Sequence, residues 1–184
     1  FGTLSRVSPE KGLDTLLEGF VEAAKRVPEI RLLIIGDCPD EHKEYIETIK
    51  QYIHENGLDE AVKILGVRED ALEILKSIDF YISPSRSEGL PYNLLEALAA
   101  GKPVMATDIP GNNDIIRKSV EGILVPVNSA RTLAHGILTL LELGPEEQKA
   151  MRQNGKVRIR DEFSLNLMSE KTFSIYKKVL EGVI

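Results

Sequence analysis

Short β-branched runs alternate with stretches of helical period along most of this sequence, which restricts it to βαβ units around a parallel sheet buried on both faces. The strand candidates are residues 2–5, 32–35, 62–65, 80–83, 104–107 and 122–125. Between the first two, Leu13, Leu16, Leu17, Phe20 and Ala24 fall at helical spacing after the turn from Ser8 to Gly12. Tyr45, Ile46, Ile49 and Ile53 mark a second helix, which Asn56-Gly57 ends, and residues 71–76 a short third. A fourth covers about 93–100 and stops at Gly101, with Pro103 opening the next strand. After Val125 the pattern changes to three consecutive helices: 130–141 capped by Asn128 or Ser129, one from Pro145 to about Arg160, and a last one capped by Ser164. That last helix carries Phe173, Ile175, Tyr176, Val179 and Leu180 on one side and Lys171, Lys177 and Lys178 among them, which predicts packing of its apolar face on the domain. The expected fold class is α/β: a doubly wound, six-stranded parallel sheet with helices on both faces and C-terminal helices.

At 184 residues and 42% hydrophobic, the chain closes a sizeable core, and the absence of repeats or Pro/Gly/Ser-rich linkers predicts one domain over 1–184. A formal net charge of −6 gives no basic stripe for nucleic acid. No apolar run reaches the roughly 20 residues of a membrane-spanning helix, and a single cysteine, Cys38, excludes an internal disulfide or a cysteine metal cluster, so a cytoplasmic location is expected. His42, His54 and His135 are far apart and suggest no metal site. The opening Phe1-Gly2-Thr3-Leu4-Ser5 reads as a strand already under way, which predicts a further domain upstream.

In an open parallel sheet, ligands bind beyond the carboxyl ends of the strands, where the strand order reverses. Two loops there carry chemistry. After the first strand, Arg6 and Lys11 stand five residues apart around a tight turn at a helix N-terminus, a combination of cations and free N–H groups that suits a diphosphate. After the fourth strand, residues 88–101 place Gly89 where a backbone can approach a ligand, Pro91 to stiffen the approach, and a helix start near Asn93 that aims N–H groups into the crevice. Glu88 and Glu96 flank that turn with seven residues between them. An ionised carboxylate accepts from both hydroxyls of a vicinal pair, so such acids suit a ribose or a hexose. The plain alternative is a solvated Glu88 and a Glu96 that only complements the helix dipole.

Taken together, Arg6, Lys11 and the run from Glu88-Gly89-Leu90-Pro91 to Glu96-Ala97 resemble the C-terminal, donor-binding half of a GT-B glycosyltransferase, family 4 (group 1) above all. Nearly the whole chain fits that Rossmann-like layout, including Gly36-Asp37, Gly66, Gly101-Lys102-Pro103-Val104 and residues 122–126. The resemblance implies that Arg6 and Lys11 bind the donor diphosphate, Glu96 the ribose hydroxyls and Glu88 the transferred sugar, with Glu88, Arg6 and Lys11 as the catalytic set. It also implies that Val67 and Arg68 lie against the base and that N–H groups of Gly89, Leu90 and Asn93 face phosphate and sugar. Retaining, metal-independent hexosyl transfer without a cofactor is the implied activity, from a nucleoside-diphosphate sugar, UDP by preference, to a hydroxyl acceptor in polysaccharide or glycolipid synthesis. The acceptor-binding half would be N-terminal in the same polypeptide, so residues 1–184 alone are expected to bind donor and hardly transfer it, and the full-length enzyme could sit peripherally at the inner face of a membrane. Two departures stand out. Cys38 follows Gly36-Asp37 where the family often has glycine, and Gly111-Asn112-Asn113-Asp114 replaces a two-glycine turn followed by Pro-Glu.

Other readings are weaker at the first loop or remain open. The first turn lacks the Gly-x-Gly-x-x-Gly of nicotinamide dehydrogenases, and Ser5-Arg6 stand where a phosphoacceptor domain needs acids. A non-catalytic nucleotide-sugar-binding module or assembly partner stays open at this point, as do glucan synthases and sucrose-type phosphorylases that share the donor motif.

Overall fold

A computed structural model describes residues 1–182. Six strands run in chain order as β1 (Gly2–Leu4), β2 (Leu32–Ile35), β3 (Val62–Gly66), β4 (Tyr81–Ser83), β5 (Val104–Thr107) and β6 (Gly122–Val125). They form one parallel sheet in the order β3-β2-β1-β4-β5-β6. The order reverses between β1 and β4, so the loops that follow these two strands diverge from a shared crevice.

The helices are α1 (Leu13–Ala24), α2 (Lys43–Glu55), α3 (Ala71–Ser77), α4 (Tyr92–Ala99), α5 (Asn112–Ile115), α6 (Ala130–Glu142), α7 (Pro145–Glu162) and α8 (Leu165–Leu180). Side chains alternate faces along a strand, and the central strands show it: Ile82 and Met105 enter one core, Tyr81, Val104 and Ala106 the other. The first core receives Leu13, Leu16, Leu17 and Phe20 from α1, Ile49 and Ile53 from α2, and Leu133, Ile137 and Leu140 from α6. The second receives Leu75 from α3, Leu94, Leu95 and Leu98 from α4, and Ile115 from α5. Helices on both faces are thus fed by β-branched strands with no polar face, as the sequence predicts.

Boundaries differ from the sequence expectation where local chemistry decides them. Pro91 is extended at the N-cap, so α4 starts at Tyr92, one residue early, and Gly101 in the left-handed region (φ 68°) ends it. Of the two candidate caps for α6, Ser129 does the capping, its Oγ accepting from Thr132 N at 3.4 Å. The one-turn α5 has no sequence period to betray it; Asp114 closes it by accepting from Gly111 N at 3.0 Å.

The expected packing of the last helix is not found. No residue of α8 is buried, and Phe173 (71% exposed), Tyr176 and Leu180 (88%) remain largely exposed. The reason is geometric. Ser164 caps α8 just past Phe163, which stacks under the Arg158 guanidinium, and from there the helix leaves the body. Leu165, Met168 and Ile175 of α8 still line, with Leu90, Tyr92 and Leu95, a cavity of about 260 Å³.

Candidate functional site

The crevice is built by three loops locked to one another. The β1 loop forms a one-turn 3-10 segment, Pro9–Lys11, closed by Gly12 at φ 64°. That conformation and the space both require glycine, because a Cβ at residue 12 would stand 2.2 Å from the Pro84 carbonyl oxygen. The β1 and β4 loops therefore touch backbone to backbone. The β5 loop closes in from the other side, where a Cβ at Gly111 would come within 2.6 Å of the Gly89 carbonyl oxygen. Beneath the β1 loop, the Asp37 carbonyl accepts from Val7 N at 2.6 Å, and the Cys38 thiol points back at the His42 carbonyl. Cys38 thus sits in a supporting loop.

One brace was invisible in the sequence. Arg86 N donates to the Glu10 carbonyl at 2.7 Å, and the Arg86 guanidinium donates to Asp14 Oδ2 (2.9 Å), Thr15 Oγ1 (2.9 Å), Asn128 Oδ1 (2.6 Å) and the Pro9 carbonyl. It ties the β4 loop to the β1 loop, α1 and the approach to α6 through one guanidinium with four acceptors, a donor fan particular to arginine. Burial raises the Asp14 carboxyl, but the hydrogen bonds and charge of Arg86 outweigh it and hold Asp14 below its ordinary range. Its neighbour Tyr45 is pushed up to about 12, first by burial. No local motif signals this brace, since Arg86 and its partners lie more than forty residues apart in the chain.

The structure brings several of the sequence candidates together. Lys11 Nζ and Glu88 Oε1 form an ion pair at 2.7 Å, with side chains only 15% and 9% exposed. Ser85 Oγ donates to the same carboxylate oxygen at 2.7 Å, and Ser85 is in turn held by Thr107 Oγ1, which Asn112 Nδ2 contacts at 3.1 Å. Glu88 is therefore fixed in place by a buried polar chain, and the reading of it as a solvated loop acid is a poor description. Asn93 donates its side-chain amide to the Leu4 carbonyl, which pins the start of α4 to the end of β1. Its own backbone N–H, like those of Gly89 and Leu90, meets no acceptor among the described residues, leaving these groups available in the crevice. Arg6 is exposed and has no ion-pair partner among the described residues.

The Glu96 carboxylate also makes no ion pair or hydrogen bond among the described residues, and desolvation raises it above the ordinary carboxylate range although the residue is exposed. Both Glu88 and Glu96 act electrostatically on the fully buried Tyr81 hydroxyl, which burial and these charges push up. Both acids therefore lie near the end of β4.

Val67 and Arg68 do not join this cluster. They follow β3, two strands from β1; Val67 is 72% exposed and Arg68 is bound bidentately by Asp70 at 2.8 Å. They share the carboxyl edge of the sheet but form no hydrogen bond or ion pair with the loops just described among the described residues. The three histidines remain apart, in the Asp40–His42 turn, α2 and α6, and no group of three metal-ligating side chains forms among the described residues. No helix among them is long and apolar enough to cross a membrane.

Comparison with known proteins agrees with this architecture. Residues 1–158 match the family model for glycosyl transferases group 1. The chain is 31% identical, over 125 residues, to the GtfA subunit of a UDP-N-acetylglucosamine–peptide N-acetylglucosaminyltransferase of Streptococcus agalactiae, which covers 67% of the chain and 24% of that protein. It superimposes on a glycosyltransferase of Rickettsia africae with a TM-score of 0.92 at 29% identity, over 97% of this chain and 47% of the other. HepE of Anabaena, solved in complex with UDP, has the same fold at TM-score 0.90 and 24% identity, over 96% of this chain and 48% of that one. The chain spans less than half the length of each of these three proteins.

Proposed function

The chain belongs to the group 1 glycosyl transferases, and on that footing we propose that it is the donor-binding half of a retaining hexosyltransferase that uses a UDP-sugar. The observation that carries this reading is the crevice between the β1 and β4 loops. The Lys11–Glu88 pair lies there, at the carboxyl edge where the strand order reverses, together with open N–H groups at the start of α4 and, on the same helix, a Glu96 carboxylate without a partner among the described residues.

In this reading Arg6, Lys11 and the start of α4 receive the diphosphate, Glu96 accepts from the ribose hydroxyls and Glu88 from the sugar. Val67 lies against the base, and Arg68 must first release or share Asp70 to reach it. An acceptor hydroxyl attacks the anomeric carbon as the bond to the diphosphate oxygen breaks on the same face. The electron pair stays with the diphosphate, and the hydroxyl proton leaves with it. The negative charge that grows on the leaving group is met by fixed cations and N–H dipoles, which stabilise the transition state more than the ground state. No step needs a metal. The acceptor is supplied to this crevice by an N-terminal half of the same polypeptide, in polysaccharide or glycolipid synthesis.

A thermal-shift screen of residues 1–184 against UDP, GDP and ADP tests the assignment. A nucleotide at about 100 times its dissociation constant stabilises the fold by roughly 2.7 kcal/mol. UDP is expected to give the largest shift. No shift with any of the three at millimolar concentration contradicts donor binding.

The state of Glu96 adds a pH dependence. Its carboxyl ionises above the ordinary carboxylate range, and only the ionised form accepts from both ribose hydroxyls. UDP affinity therefore falls as pH drops through this raised value, earlier than for an ordinary carboxylate. Titrations across mildly acidic pH check this, with Glu96→Gln expected to remove that dependence; an identical pH profile in the variant contradicts the role.

A further inference from the structure

The ten arginines of this acidic chain divide in an informative way. Seven are engaged: Arg68, Arg86, Arg117, Arg158 and Arg160 by carboxylates, and Arg31 and Arg152 by carbonyl or amide oxygens. The side chains of the other three, Arg6, Arg26 and Arg131, have no hydrogen-bond or ion-pair partner among the described residues. Arg6 belongs to the donor crevice. Arg26 and Arg131 both line one cavity of about 690 Å³, which lies between α1 and α6 and is larger than the other cavities described.

His135 lines the same cavity, its imidazole without a partner among the described residues, and Ala134, Leu138 and Thr132 complete most of the wall. The single acid present, Glu22, is bound by Lys25 at 2.7 Å, so its charge is largely offset and both guanidiniums remain uncompensated. The walls are held at a fixed distance. Gly19 of α1 lies against α6 so closely that a Cβ there would come within 2.7 Å of the Ala130 carbonyl oxygen. Two guanidinium forks over one concave, partly apolar surface are suited to bidentate phosphate recognition. The volume falls within the ordinary range for small-molecule sites, well above what a bare phosphate fills.

We propose that the α1–α6 cavity is a second anion site, separate from the donor crevice, that binds a phosphorylated small molecule or a phosphate headgroup through Arg26 and Arg131. This does not depend on the donor assignment, since the cavity shares no residue with that crevice.

The test is a chemical-shift titration of the full chain with glucose 6-phosphate, with sodium chloride at matched ionic strength and, separately, vesicles containing phosphatidic acid. Saturable changes at His135 and the Thr132 and Ala134 amides with glucose 6-phosphate, absent with chloride, support the site. The same changes with vesicles alone support it and assign a lipid source. In Arg26→Gln/Arg131→Gln the affinity should fall at least tenfold while the melting temperature and UDP binding stay unchanged, because both side chains are exposed and tied to nothing among the described residues. Changes that persist in the double variant, that chloride reproduces, or that appear only at the donor crevice overturn the proposal.

Discussion

Gly12→Ala is expected to lower stability by about 3 kcal/mol and to abolish nucleotide binding. Two effects add. Residue 12 adopts φ 64°, which costs a non-glycine residue about 1 kcal/mol. Its new Cβ would also lie 2.2 Å from the Pro84 carbonyl, a backbone atom that can yield only if the β4 loop moves. Displacing that loop separates Lys11 from Glu88 and breaks the Arg86 fork, so the crevice is lost with the stability. Gly57 supplies the control. It has nearly the same backbone, φ 66°, but a Cβ there would meet nothing within 4 Å, so Gly57→Ala should show the conformational cost alone. At about 2–4 °C per kcal/mol for a chain of this size, thermal melts should separate the two variants by several degrees. Equal melting temperatures contradict the close approach of the two loops.

Lys11→Ala in the full-length enzyme is expected to lower kcat by about two to three orders of magnitude, the usual scale for removing one group that stabilises developing charge. The same variant leaves Glu88 buried with only the Ser85 hydroxyl, so stability should fall as well, by about 2 kcal/mol. These consequences can be separated. Lys11→Ala/Glu88→Gln removes the uncompensated charge and should recover the melting temperature, while turnover stays low because both groups that meet the donor are gone. If turnover returns with stability, or if Lys11→Ala changes kcat by less than twofold, Lys11 serves the fold and not the leaving group.

Much of this architecture was legible in the sequence because its signals are local. Strands buried on both faces read as apolar runs, and Ser129, Ser164, Asn56-Gly57 and Gly101 act at the ends the sequence assigns them. Reversal of strand order at β1 and β4 then placed Lys11 and Glu88 in one crevice although 77 positions separate them. What the sequence did not carry is tertiary. That Lys11 and Glu88 pair with each other depends on backbone contacts at Gly12. The Arg86 guanidinium joins four residues of the chain, none adjacent to it in sequence. α5 is four residues long, too short for a period, and α8 shows an apolar face without any signal of what covers it. Val67 and Arg68 were placed by resemblance alone, and in the structure Arg68 pairs with Asp70.

Isothermal titration of UDP into the wild-type chain, Glu96→Ala and Glu146→Ala tests most directly whether this crevice binds a nucleoside diphosphate. Glu146 lies in the first turn of α7, outside the loops that form the crevice, and serves as the charge-matched control. Loss of hydrogen bonds to a charged acceptor, worth about 1.5–3 kcal/mol, should weaken UDP binding by Glu96→Ala roughly 10- to 100-fold, with Glu146→Ala matching wild type. An unchanged dissociation constant in Glu96→Ala, with its fold intact, would return that carboxylate to a helix-dipole role and contradict the donor site described for this crevice.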